Sequence, residues 1–386
     1  MTVKIDIKFL AGLLIGAVVV GSLVILFTGG DDDPEPGNAS QNSSLAPVAP
    51  GAGATEPGEE EDEGDEGNDE GNGGAAGPAL TLPVPEGEGK VDCPAPTTTV
   101  NDAATLETAL RSAKAGDVIK MNPGTYKGKF VAKTDGTQQQ PIYLCGDAKT
   151  VLDGGGVDEG YGLHLDGANY WRLIGFTVSN SQKGVMGDGT NGSIIQGLTV
   201  HQIGDEAIHL RKFSTGNTVQ YNKIYNTGMR REKFGEGVYL GTAESNFEKI
   251  TGGQPDKSDN NVVRGNVIRA TAEAIDIKEG TSGGKILNNV FDGTKTGGSK
   301  HNDSWIDVKG NNYLIQGNKG TGTPMDGFQT HEIIDGWGKN NTFTGNVIDL
   351  GGGSGVGIAD TKGGNIVKCD NKMVNGGKLT KDGKCS

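Results

Sequence analysis

The sequence predicts an all-β protein: a right-handed parallel β-helix with a short N-terminal cap helix, preceded by a disordered acidic stalk and one transmembrane helix. Three observations predict it. A four-residue pattern, a small residue followed by apolar-x-apolar, starts at Gly162, Gly184, Ala207, Gly237, Ala274, Trp305, Gly327 and Gly355. A second pattern falls between these copies and places Asn222, Asn266, Asn289, Asn318, Asn346 and Asn371 at equivalent positions. Successive copies of the first pattern are 22, 23, 30, 37, 31, 22 and 28 residues apart. That is a coil of about 22 residues with insertions, each coil adding strands parallel to the last. A propeller blade needs about 40 residues and antiparallel hairpins, and the leucine-asparagine framework of leucine-rich repeats is absent.

Charge and cysteines divide the chain. Of a formal net charge of -14, residues 31–90 carry sixteen acidic side chains against Lys90, while residues 91–386 balance at zero. The acidity therefore belongs to a tail and says little about the partners of the folded part, for which no nucleic acid is expected. The tail is rich in Gly, Pro, Glu, Asp and Ser and cannot bury enough apolar area to offset its ordering entropy. Residues 9–27 contain no charged side chain, about 28 Å as a helix and long enough to cross a bilayer. Lys4 and Lys8 precede this span and acid follows it, so the expected topology is a single-pass signal anchor with its N-terminus inside; a secreted chain is the alternative. The expected organisation is a cytoplasmic tail 1–8, an anchor 9–27, a linker 28–92 and a β-helix domain 93–386. Cys93, Cys145, Cys369 and Cys385 form no C-x-x-C pair, which argues against zinc. Two disulfides, most simply Cys93–Cys145 and Cys369–Cys385, fit an oxidising compartment.

The elements follow in order. Asp102 is placed to cap a short helix carrying Leu106, Ala109, Leu110 and Ala113 on one side, which would cover the open first coil. The segment AGDVIKMNPGTY (residues 115–126) reads as helix stop, strand and Pro-Gly turn. Within each later coil, numbering the small residue zero, positions one and three point inward: Ile208 and Leu210, Ile275 and Ile277, Ile306 and Val308. The asparagine column reads as a hydrogen-bonded corner ladder rather than a binding stripe.

Positions two and four point outward, and there the chemistry collects. Column two runs His164, Met186, His209, Tyr239, Asp276, Asp307, Gln329; column four runs Asp166, Asp188, Arg211, Gly241, Lys278, Lys309, His331. Glu206, Glu236, Glu273 and Asp326 stand at or just before the small residue. Strands about 4.8 Å apart let these side chains act together, and convergent titratable groups on a rigid scaffold favour function over a solvated face. Insertions at 227–236, 243–260 and 294–303 lengthen the adjoining coils and are expected to wall a groove. Arg230 and Arg231 in the first are candidates for binding anionic sugar, with Asp307 and Trp305.

The opening segment and the stretch EAIDIKEGTSGGKILNNVF (residues 273–291) resemble the pectate-lyase-like β-helix superfamily, nearest to the chondroitinase B and alginate lyase branch. The resemblance implies a lyase that cleaves uronic-acid-containing polysaccharide by β-elimination. By the same resemblance Lys278 matches the catalytic lysine and Glu273 lies near calcium-binding carboxylates. Where that branch carries an arginine on the following coil, this sequence has Lys309. The N-x-D, G-H-G and R-I-K of polygalacturonases and the W-x-D-H of the main pectate lyase branch are absent. The expected catalytic set is Lys278, Lys309, Tyr239, His209, Arg211 and His331. Lys278 is expected to be the base, its pKa lowered by Lys309 and opposed by Asp276 and Asp307. Glu236, Glu273 and Asp276 are the expected calcium ligands. A C5-epimerase shares the first step of this chemistry, and a non-catalytic glycan-binding or cell-surface structural protein is the other class, because β-helices serve both.

Overall fold

The computed structural model describes residues 77–297 and 300–386. They lie in the unit that runs from Thr55 to Ser386. The expected tail 1–8 and anchor 9–27 fall outside the described residues, among which no helix is long and apolar enough to cross a membrane. The architecture is a right-handed parallel β-solenoid of about ten turns. Each coil contributes a strand to three sheets, of eleven, ten and nine strands. The nine-stranded sheet, from Phe130–Ala132 to Ile358–Asp360, carries the outward columns and is called the site sheet below.

Register in the site sheet follows the repeat. His164, Met186, His209, Tyr239, Asp276, Asp307 and Gln329 are successive cross-strand partners, and every pairing is parallel. The last coil departs from the expected frame. Phe328 pairs with Ile358, so the small residue there is Gly357, two positions after Gly355. The inward residues Ile275, Ile277, Ile306 and Val308 are fully buried in one continuous core.

Local chemistry explains the corners. Each ladder asparagine accepts from the backbone of the coil before and donates to a carbonyl of that same preceding coil. Asn266 accepts from the Asn222 N–H and amide (2.9 Å each) and donates to the Val219 carbonyl at 3.0 Å and to Asn289 at 2.9 Å. A fully buried amide column thus pairs groups that the turns would otherwise leave unsatisfied. The helix Ala103–Ser112 is capped by Asp102, which accepts from Thr105 N–H, and it buries Leu106, Ala109 and Leu110. Disulfides join Cys93 to Cys145 and Cys369 to Cys385.

Two expectations change. Trp305, proposed from sequence as a sugar contact, is a core residue with no exposure. Its indole stacks with Phe291 and meets Phe328 edge-on. A side chain at Gly293, Gly320 or Gly327 would collide with that indole, so the large residue at the start of this strand fills space that three glycines leave open. The folded part also begins before Cys93. From Gly77 onward the stretch assigned to the linker lies on the solenoid: Gly77 accepts from Asn226 (2.8 Å), Leu80 is buried beside Tyr225 and Val267, Glu88 accepts from the Tyr221 hydroxyl (2.7 Å), and Val91 exchanges two hydrogen bonds with Gln196. The composition of this stretch is that of a linker, but its backbone finds partners on corner side chains.

Candidate active site

Tyr239, Asp276, Lys278, Asp307 and Lys309 meet on three adjacent strands of the site sheet. The carboxylate of Asp276 is the hub, bonding Lys278 Nζ at 2.8 Å through one oxygen and Lys309 Nζ at 3.0 Å through the other. Lys309 also pairs with Asp307 at 2.6 Å. The Lys278 ammonium lies 4.7 Å from the centre of the Tyr239 ring, and His209 packs against the same ring at 4.3 Å. Alternation along each strand aims these groups out of the core, while register stacks them.

A second row runs beside this one, from the position before each small residue. Glu206, Glu236 and Glu273 occupy it on successive coils, and all three are buried. Glu236, Glu273 and Asp276 each offer a carboxylate oxygen within 4.8 Å of the others. Lys183 belongs to the same row one coil earlier and is itself buried, bonding Glu206 at 2.9 Å. Sequence reasoning missed it, although its place before Gly184, opposite Glu206 on the next coil, was a readable signal. Glu279 was missed too. It is buried, accepts from the Glu244 N–H at 2.6 Å, and so ties the 243–260 insertion to the residue next to Lys278.

Electrostatics reverse one expectation. Burial alone would lower the Lys278 pKa, but Asp276 and Glu236 outweigh it and raise it well above the ordinary lysine range. Lys309 behaves likewise, burial opposed by Asp276 and Asp307. Lys309 does repel Lys278, as the sequence suggested, but the carboxylates dominate, so Lys278 rests as an ammonium rather than a free base. Asp276 is pushed up by burial, yet Lys278 and Lys309 bring it down to about 2. For Glu273 the pull of Lys309 is outweighed. Burial and the charges of Asp276 and Asp307 raise it to about 8. Burial, Glu206, Asp276 and Glu273 raise Glu236 well above the carboxylate range.

The remaining predicted residues lie around this centre. His209 bonds the Gly241 carbonyl through Nε2 (2.9 Å) and faces Glu206 through Nδ1 at 3.5 Å, which makes it a brace for Tyr239. Arg211 is buried against Asp188 (2.8 Å), which also holds His164. It sits two strands away from Lys278 and is not brought to it. His331 stands at the rim, bonded to Gln329 at 2.7 Å and 3.5 Å from Asp307. Arg230 pairs with Asp205 (3.0 Å) and Arg231 lies over Phe234. Asn302 bonds the Glu232 carbonyl at 2.9 Å, linking the first and third insertions into one wall.

The acidic trio is an all-oxygen donor set, and Glu236 Oε2 is buried without a hydrogen-bond partner among the described residues. Both features fit a hard cation such as calcium, with Asp276 shared with the lysines.

A family model described as a Pel9A-like, right-handed β-helix region matches residues 90–247. The crystal structure of an alginate lyase from Paenibacillus sp. str. FPU-7 is 35% identical, with a TM-score of 0.70, over 75% of this chain and 100% of that one. The chain belongs to the pectate-lyase-like right-handed β-helix family. Two more distant structures share the fold alone. Pectate lyase Pel9A is 14% identical over 72% of this chain and 75% of its own, with a TM-score of 0.52. PfbA, a surface adhesin of Streptococcus pneumoniae, is 13% identical over 70% and 73%, with a TM-score of 0.50. Comparison with curated proteins returns no match.

Proposed function

We propose that this chain is a polysaccharide lyase that cleaves a uronic-acid-containing chain by β-elimination at Tyr239, Lys278 and Lys309. One observation carries the reading. Two ammonium groups are held by a single carboxylate on a rigid outward face, and one of them, Lys278, stands beside a tyrosine. The likeness to an alginate lyase over that protein's whole length supports it.

Elimination breaks the C5–H bond and the C4–O4 bond of the uronate, forms a C4–C5 double bond and delivers a proton to O4. It needs a cation for the carboxylate, whose charge grows as C5 loses its proton, and a proton carrier near C5 and O4. Lys278 and Lys309, already protonated, supply positive charge for the carboxylate. The Tyr239 oxygen is assigned the proton: as the phenolate it takes the C5 proton, and as the hydroxyl so formed it gives that proton to O4, its ring fixed between His209 and Lys278. Glu236, Glu273 and Asp276 would hold calcium, which when bound would neutralise the substrate carboxylate as a Lewis acid. In its absence, Glu273 retains its proton at neutral pH and can donate a hydrogen bond to the same carboxylate. The two disulfides and the apolar span 9–27 support action outside the cell, on an acidic polysaccharide, from a membrane anchor.

The test is ultraviolet absorbance of unsaturated sugar ends from alginate, pectate and glycosaminoglycan panels, with circular dichroism as the folding control. Lys278→Ala and Tyr239→Phe are each expected to lose at least a hundredfold in turnover, on the order of a single general acid–base contribution. A folded Lys278→Ala protein with full activity would remove Lys278 from the chemistry. Calcium titration by calorimetry, with heat lost in Glu236→Gln, checks the cation site independently of activity.

A further inference from the structure

Directly after the site-sheet strand Ile208–Arg211, Lys212 and Phe213 have φ of +58° and +67°. They are the only consecutive non-glycine residues in the left-handed region among the described residues. Elsewhere the solenoid gives most such corners to glycine or asparagine, which adopt this conformation readily. A bulky side chain there is a genuine outlier and persists only where the surroundings over-determine it.

The surroundings are a single buried carboxylate. Asp256, in the 243–260 insertion, accepts from the Lys212 N–H and the Phe213 N–H at 2.7 Å each. The Thr242 hydroxyl (2.7 Å) and the Ser258 hydroxyl (2.8 Å) complete its bonds. The insertion therefore commits a fully satisfied buried acid to holding a turn that leaves Phe213 39% exposed. Phe213 is the only aromatic among the exposed large apolar side chains of the described residues. Beside it, Lys212 is close enough to act on Asp166, which is paired with Lys133 at 2.8 Å.

Position gives this turn a use. Lys212 directly follows Arg211, which stands in the outward column of Lys278, two coils and about 10 Å along the solenoid axis from it. A polysaccharide lying along that axis over Lys278 would pass beside the turn that carries Lys212 and Phe213. An aromatic face next to an ammonium suits a pyranose bearing a carboxylate: ring C–H groups pack on the aromatic face and the lysine meets the acid. We propose that Phe213 and Lys212 form a distal subsite for a uronate sugar, held open by Asp256. This subsite rests on the polysaccharide reading above.

The test uses the full chain in a Lys278→Ala background, so that sugar is bound without being cut. Calorimetry compares short and long uronate oligosaccharides of the best polymer. Phe213→Gly removes the ring and suits the left-handed backbone, so the melting temperature should hold or rise. Its affinity for the long chain should fall about threefold to tenfold, leaving the shortest chain unaffected, and Phe213→Trp should restore the long-chain value. Lys212→Gln should flatten the salt dependence of long-chain binding. Unchanged long-chain affinity in Phe213→Gly overturns the subsite, as does equal weakening at both lengths with a lower melting temperature. If the reference protein binds no uronate at all, the polysaccharide reading fails, and the subsite with it.

Discussion

Glu273→Gln should make the protein more stable at alkaline pH. Glu273 is buried beside Asp276 and Asp307 and titrates at about 8, against 4.5 for its unperturbed group. Between those two values the native state holds a proton that the unfolded chain has released. Stability therefore declines as pH rises through that interval and levels off above it. Each pH unit is worth about 1.4 kcal/mol, so the interval amounts to roughly 5 kcal/mol at most. Glutamine keeps the shape and carries no charge at any pH, and it also removes one anion facing Glu236. In a chelator, thermal melts followed by circular dichroism should nearly coincide at pH 5. At pH 9 the variant should melt higher by up to roughly 10–20 °C, at about 2–4 °C per kcal/mol for a domain of this size class. Added calcium should shrink the wild-type alkaline loss, because the ion binds the ionised pair. Parallel pH profiles for the two proteins would refute the assignment of Glu273 as a buried, protonated acid.

Two structural predictions accompany it. Asn266→Ala removes a side chain that takes part in four hydrogen bonds and strands their partners in the core, so the urea midpoint should drop by the equivalent of about 3–5 kcal/mol; a change below 1 kcal/mol would contradict the ladder. Trp305→Ala opens a cavity lined by Phe291, Phe328 and three glycines and should cost about 3–5 kcal/mol. By contrast, a Trp305 variant that keeps its stability but loses sugar binding would return this residue to the groove.

The repeat was legible because its two periods are set by hard constraints. Strand alternation fixes which of Ile275, Asp276 and Ile277 faces inward, and a buried asparagine at each corner fixes the coil frame. Those constraints carried the columns and brought Glu236, Glu273 and Asp276 together before any coordinates. What was not legible is where local sequence and surroundings diverge. Trp305 occupies the position of a small residue, and its inward turn depends on glycines at 293, 320 and 327, two of them on other coils. The state of Lys278 depends on a balance of burial, one cation and several carboxylates whose distances no spacing reveals. Residues 77–92 have the composition of a linker, and their docking depends on partners such as Gln196, Tyr221 and Asn226, more than a hundred positions later. The frame shift at Gly357 is hidden because Gly355 and Gly357 both begin a plausible repeat.

The most direct test of the central claim is the mass of the new non-reducing end produced from a defined uronate oligosaccharide. Elimination at the Lys278 and Tyr239 centre predicts an end sugar lighter by one water than the product of hydrolysis, absorbing in the ultraviolet and absent from Lys278→Ala digests. A saturated end, or an intact chain that has gained deuterium at C5 from heavy water, would contradict elimination, the latter in favour of epimerisation.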